Sequence, residues 1–106
     1  MNAGGFRKVA LSMPGAIESA HMGHPDFRAN GKIFATLDHD MKRGMVKLNP
    51  ELQREFVSEH PKMFVAVNGA WGAQGSTWVN LKDADPDTLG RAMTEAWKQS
   101  GVKRKR

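Results

Sequence analysis

The first residues in this 106-residue chain that could do chemistry are four histidines and a scatter of aspartates. His21-Met22-Gly23-His24 spaces two imidazoles three residues apart, and Asp26, Asp38, His39 and Asp40 add the other donor types of a metal site or a general base. The spacing argues against both. In an extended strand Asp38 and Asp40 point one way and His39 the other, and Pro25 disfavours the helical turn that would align His21 with His24. No zinc-finger, HExxH or EF-hand pattern occurs, so no metal is expected, and His24 reads as a structural or pocket residue.

Nucleophiles are equally sparse. The chain has no cysteine and no tyrosine, and Ser12, Ser19, Ser58, Ser76 and Ser100 lack the context of a nucleophile elbow. Gly69, Gly72 and Gly75 before Ser76-Thr77 resemble a phosphate loop, but the lysine is missing and a strand pattern follows where a helix is required. Glu55 and Glu59, one helical turn apart, read as surface charges. The expectation is a non-enzymatic protein without a cofactor.

Binding chemistry is better represented. Phe34, Phe64 and Trp78 alternate with apolar residues in runs that also carry Lys32, Lys47 and Lys82, and rings for base stacking beside ammonium groups for phosphate are how a sheet holds nucleic acid. The elements that would position them can be read from period and punctuation. Phe6, Val9, Ala10 and Met13 form a helical stripe stopped by Pro14-Gly15. Ile33, Ala35 and Leu37, then Val46 and Leu48, have strand period and pair as a hairpin across the polar loop 38–44. Asn49-Pro50 caps a helix carrying Leu52 and Phe56, which Pro61 ends, and Asp85-Pro86 opens another along Leu89, Ala92, Met93, Ala96 and Trp97. Met63 to Val67 and Thr77 to Leu81 are further β runs joined through the glycines.

This order predicts a single α+β domain, an antiparallel sheet with helices packed on one face. The alternation then places Ile33, Ala35, Leu37, Val46, Leu48, Met63, Val65, Val67, Val79 and Leu81 toward the helices, and Lys32, Phe34, Lys47, Phe64, Trp78 and Lys82 on the open side. Two loops project as candidate wings. One is 38–44, with Lys42 and Arg43; the other is 68–76, with Trp71 and Gln74. Met1 to Gly5 and Gly101 to Arg106 look loose, and 101–106 is expected to be a flexible basic tail.

Charge limits what these groups can do. The formal net charge is +5, but Lys103, Arg104, Lys105 and Arg106 supply four of those charges. Residues 1–102 hold twelve Lys and Arg against eleven Asp and Glu, a balance of +1. The folded body therefore has little field to steer polyanions, and binding must rest on local patches and the tail. The longest apolar run, Met63 to Val67, is far short of a membrane span, so no membrane partner is expected and the location expected is cytoplasmic.

Leu11-Ser12-Met13-Pro14-Gly15, His24-Pro25-Asp26-Phe27-Arg28, Gly31-Lys32-Ile33-Phe34-Ala35, Lys47-Leu48, Trp78-Val79 and Ala96-Trp97 together resemble the MmcQ/YjbR family over roughly residues 6 to 100. The resemblance implies one domain over 1–106 with a CyaY-like (frataxin-like) arrangement, and double-stranded DNA contacted by hairpin wings. The first helix, Phe6-Arg7-Lys8-Val9, has no acidic ridge, so iron binding is not carried over. On the DNA reading, Lys32, Lys42, Arg43, Lys47, Trp71 and Lys103 to Arg106 make the contacts. On the alternative reading, a small ligand or a protein partner enters an apolar recess of His24, Phe27, Phe34 and Trp78.

Overall fold

In the computed structural model, residues 1–101 are described, and within them the chain forms four α-helices and six strands. Helix α1 (Ala3–Leu11) starts earlier than its apolar stripe suggests, because the Asn2 side chain accepts a hydrogen bond from the Gly5 N–H. The first residues are thereby tied down, and the Met1 amino group also donates to the Leu81 carbonyl at 3.2 Å. Helices α2 (Pro50–Glu59) and α4 (Pro86–Gln99) begin as their caps predict, with Asn49 and Asp85 accepting from Leu52 and Thr88 N–H groups and proline at the first helical position.

The stretch 14–31, read from sequence only as rich in glycine, histidine and proline, builds two strands, β1 (Ile17–His21) and β2 (His24–Ala29). They join at Met22-Gly23, with φ +53° and +83°, and β2 joins β3 (Lys32–Leu37) at Asn30-Gly31, with φ +56° and +76°. Two successive residues at positive φ match the right-handed twist of the flanking strands, which is why such tight hairpins form here. Strands β4 (Arg43–Lys47), β5 (Phe64–Ala66) and β6 (Ser76–Asn80) complete one sheet of order β1-β2-β3-β4-β6-β5, antiparallel throughout. This is the α+β arrangement the element order predicts.

Helices α1, α2 and α4 cover one face. Phe6, Phe56, Leu89, Ala92, Met93 and Ala96 meet Phe27, Ala35, Leu37, Val46, Phe64 and Val79 from the sheet. Gly44 lets α1 approach, since a Cβ there would stand 2.2 Å from the Phe6 ring.

The predicted division of the two faces is half right. Ala35, Leu37, Val46 and Val79 face the helices, and Leu48, Met63 and Leu81 join the same core from just beyond the strands. Lys47 and Trp78 lie on the uncovered side. Phe34 does not: it is 0% exposed and belongs to the core. Its reversal comes from a β-bulge. Phe27 pairs with Ala35 and Arg28 with Ile33, so Phe34 is an extra residue on β3 and the alternation changes phase across it. Ile33 is thereby moved to the uncovered face, while Lys32 opposes buried Ala29 and extends to Gly101 beyond α4. Phe64 is likewise buried and pairs with Val79, which leaves Val65, opposite Trp78 and 53% exposed, on the open side with Val67. Lys82 sits in the 3-10 turn Leu81–Asp83 rather than on a strand.

The second predicted wing is also corrected. Within 68–76 the chain forms a single helical turn, α3 (Ala70–Ala73). It is fastened to the body by the Gln53 amide, which donates to the Gly72 and Ser76 carbonyls at 3.0 and 2.9 Å. Among the described residues no helix is long and apolar enough to cross a membrane.

Candidate functional site

The uncovered face is organised by one cross-strand row. Ser19, Asp26, Thr36, Met45, Trp78 and Val65 are successive register partners across all six strands, so their side chains stand on the same side of the pleat. On each strand the residues two positions away share that side. Asp26 is thus flanked by His24 and Arg28, and Met45 by Arg43 and Lys47.

A cavity of about 350 Å³ opens on this face. It is lined mainly by the apolar and aromatic residues Ile33, Met45, Val67, Trp71 and Trp78, together with Thr36, Ser76, Lys47, His21 and His24. Trp71, 65% exposed, is brought there by α3. No carboxylate among the described residues lies within ion-pair distance of Lys47. The Arg43 guanidinium stacks 3.9 Å above the Trp78 ring and reaches Asp38 at 3.3 Å. One indole face is therefore occupied by a cation, an arrangement that also fixes the ring.

Beside the cavity lies an ionic group that sequence reasoning treated only as dispersed metal donors. Asp26, 0% exposed, accepts from Arg28 Nε at 2.8 Å and Arg28 Nη2 at 3.1 Å, and its Oδ2 lies 2.7 Å from His21 Nδ1. The Arg28 hydrogen bonds hold the Asp26 carboxyl below the ordinary carboxylate range against the opposing effect of burial, with His21 assisting. An ionised carboxylate only accepts, so His21 Nδ1 is the donor in this contact. His24 stands edge-on between His21 and His39, with ring centroids 4.7 and 5.3 Å away, and its buried Nδ1 has no hydrogen-bond partner among the described residues. The four imidazole and carboxylate groups converge, yet among the described residues no three His, Asp or Glu side chains are placed to hold a metal ion.

The lowered pKa of Asp26 fixes a pH dependence. A carboxyl more acidic folded than unfolded stabilises the fold above the ordinary carboxylate range, and that contribution is lost as pH falls through the folded value. Asp26→Asn is expected to cost about 2 kcal/mol in urea unfolding at neutral pH, the scale of hydrogen bonds to a charged group. The gap between variant and parent should close in acid; a gap that stays constant down to strongly acid pH contradicts the assignment.

The sequence-predicted residues fall into four groups. Lys47, Trp71, Trp78 and His24 meet at the cavity, and Arg43 lies against its Trp78 wall. Lys42 sits at the tip of the β3–β4 hairpin, which is folded back on itself: Asp38 Oδ1 accepts from the Lys42 and Arg43 N–H groups. Lys32 lines a second cavity, about 530 Å³, that Arg28 and Lys47 share, and Phe27 and Phe34 are elsewhere. Both phenylalanines are fully buried on the helix side, so they cannot line a recess with Trp78. Lys103, Arg104, Lys105 and Arg106 lie outside the described residues. Reading from sequence missed Thr36 and Ser76 and assigned Ile33, Val67 and, within its strand, the phase of Val65 to the wrong face; the Asn30-Gly31 pair was the available sign of the hairpin that places β2 and its Arg28 here. A larger groove, about 710 Å³, runs between α1, α2 and α4, but Glu55, Asp87, Arg91 and Glu95 give it mixed charge and none of the predicted residues line it.

The Deinococcus radiodurans protein DR2400, whose domain is described as DUF419, has a similar crystal structure, with a TM-score of 0.70, 19% identity, and coverage of 86% of this chain and 72% of that one. At that identity the likeness concerns the fold. No curated protein matches the chain. The family model described as YjbR matches residues 11–99, nearly the whole described domain, and this chain belongs to the YjbR family.

Proposed function

We propose that this chain is a non-enzymatic, cytoplasmic DNA-binding protein that works through the uncovered face of its sheet rather than through projecting wings. The observation that carries the reading is the convergence of Trp71, Trp78, Lys47 and Arg43 around one cavity on that face. Aromatic surface beside unpaired positive charge suits a strand with planar bases and a phosphate backbone. Wings are a poorer account, because 68–76 carries no charged residue and is folded down by Gln53, while Arg43 is turned back onto Trp78 and Asp38. A recess for a small ligand or protein partner retains His24 and Trp78, and the mainly apolar cavity that both residues line is the observation in its favour.

Lys47, Lys42 and the tail Lys103 to Arg106 supply phosphate contacts. With two to four contacts made, affinity for a labelled oligonucleotide should fall roughly 10- to 100-fold between 50 and 200 mM salt. Fluorescence anisotropy with the full chain measures this. Absence of association at the lowest salt would remove the reading.

A further inference from the structure

We propose that the cavity between Trp71 and Trp78 receives one unpaired nucleotide, its base against the two indoles and its phosphate toward Lys47. This rests on the nucleic-acid reading and narrows it, because a duplex cannot satisfy the site. In paired DNA the bases show only their edges and the backbone their phosphates, whereas an indole binds the flat face that unpaired bases expose.

Three observations specify the ligand. The cavity, about 350 Å³, lies at the small end of the range that encloses organic ligands, and its apolar walls suit a planar ring rather than a sugar or a peptide. Arg43 covers one face of Trp78 at 3.9 Å, so at most one face of that indole can receive a base, and Trp71, 65% exposed, lines the same cavity. His24, Thr36 and Ser76 line the same cavity and give it polar groups. The donors and acceptors along a base edge can meet such groups, which an aliphatic or purely aromatic ligand cannot. Lys47, with no carboxylate within ion-pair distance among the described residues, lines the same cavity and can take the phosphate. The near-neutral body fits the same conclusion, since stacking and not long-range field must then supply most of the affinity.

A nucleotide of this kind has two sources, a residue within a single strand and a free deoxynucleoside monophosphate. The test titrates the full-length chain at low salt with a labelled 12-nucleotide single strand, the same strand with abasic sites, the corresponding duplex, and dAMP. The single strand should bind about tenfold or more tightly than the abasic strand and the duplex. Trp71→Ala should reduce it roughly 5- to 100-fold, toward the abasic level, the range seen when a stacked aromatic is removed. Trp71→Phe should recover much of the loss, and both variants should melt like the parent because Trp71 is largely exposed. Saturable quenching of tryptophan fluorescence by dAMP without strand binding would support the cavity assignment with the free nucleotide as source and remove the strand reading. Equal affinity for the single strand, abasic strand and duplex would overturn the nucleotide pocket while leaving nucleic-acid binding intact. No response to any of the four would overturn both.

Discussion

Replacing Gly72 by alanine is expected to cost about 3 kcal/mol or more of stability, above the usual range for overpacking, and to remove binding with it. A Cβ at this position would stand 1.4 Å from the Val67 carbonyl oxygen and 2.5 Å from its carbon. Backbone cannot rotate away as a side chain can. The alternative to global unfolding is displacement of α3, which would break the Gln53 contacts to the Gly72 and Ser76 carbonyls and carry Trp71 off the cavity. Urea unfolding measures the first effect, and anisotropy at a denaturant-free concentration where the variant remains folded measures the second. Gly90→Ala supplies the contrast. Nothing lies within 4 Å of its added Cβ, and alanine favours a helix interior over glycine by about 1 kcal/mol. A Gly72→Ala protein as stable as the parent would show that α3 is not held as described.

Phe34→Ala should cost about 3–5 kcal/mol, the usual cost of emptying a fully buried phenylalanine site. Ile33→Ala and Val65→Ala should each cost well under half as much, because the bulge and the strand register leave both partly open to solvent. The comparison separates two geometries. Uniform alternation along β3 would make Phe34 the surface residue and Ile33 the core residue, reversing the order of the two losses. Chemical denaturation of the three variants decides it, and a smaller loss for Phe34→Ala than for Ile33→Ala would contradict the face assignment on which the site depends.

These reversals show where a sequence is readable. The Asn49-Pro50 and Asp85-Pro86 helix starts depend on a side chain bonding to a backbone group three residues away, and both appear in the structure. The order of elements, and with it the α+β antiparallel sheet, follows from such local signals. Asn30-Gly31 was equally legible as a two-residue hairpin turn, whereas Met22 at φ +53° was not, since methionine seldom occupies that region. The β3 bulge depends on burying Phe34 against helices distant in sequence, and α3 on Gln53, 19 residues before the Gly72 carbonyl that it holds. No local period encodes either one. At the site, Lys47 and Trp78 were placed correctly because β4 and β6 pair without interruption. Phe34 and Lys32 were misplaced because the bulge changes the phase of β3, and Phe27 because strand β2, which turns it toward the helices, was not read from the sequence.

The uncovered sheet face is the central claim, and the chain carries its own reporters for it. It has three tryptophans. Trp71 and Trp78 line the cavity, while the Trp97 indole N–H on α4 donates to the Pro14 carbonyl at 2.8 Å, among the helices. The most direct measurement follows the three indole N–H signals by ¹H–¹⁵N NMR as single-stranded DNA is added to a full-length chain with Lys103 to Arg106 replaced by serine. The account predicts that the Trp71 and Trp78 signals shift and saturate together while Trp97 stays in place. DNA binding that moves Trp97 and leaves Trp71 and Trp78 unchanged would contradict it.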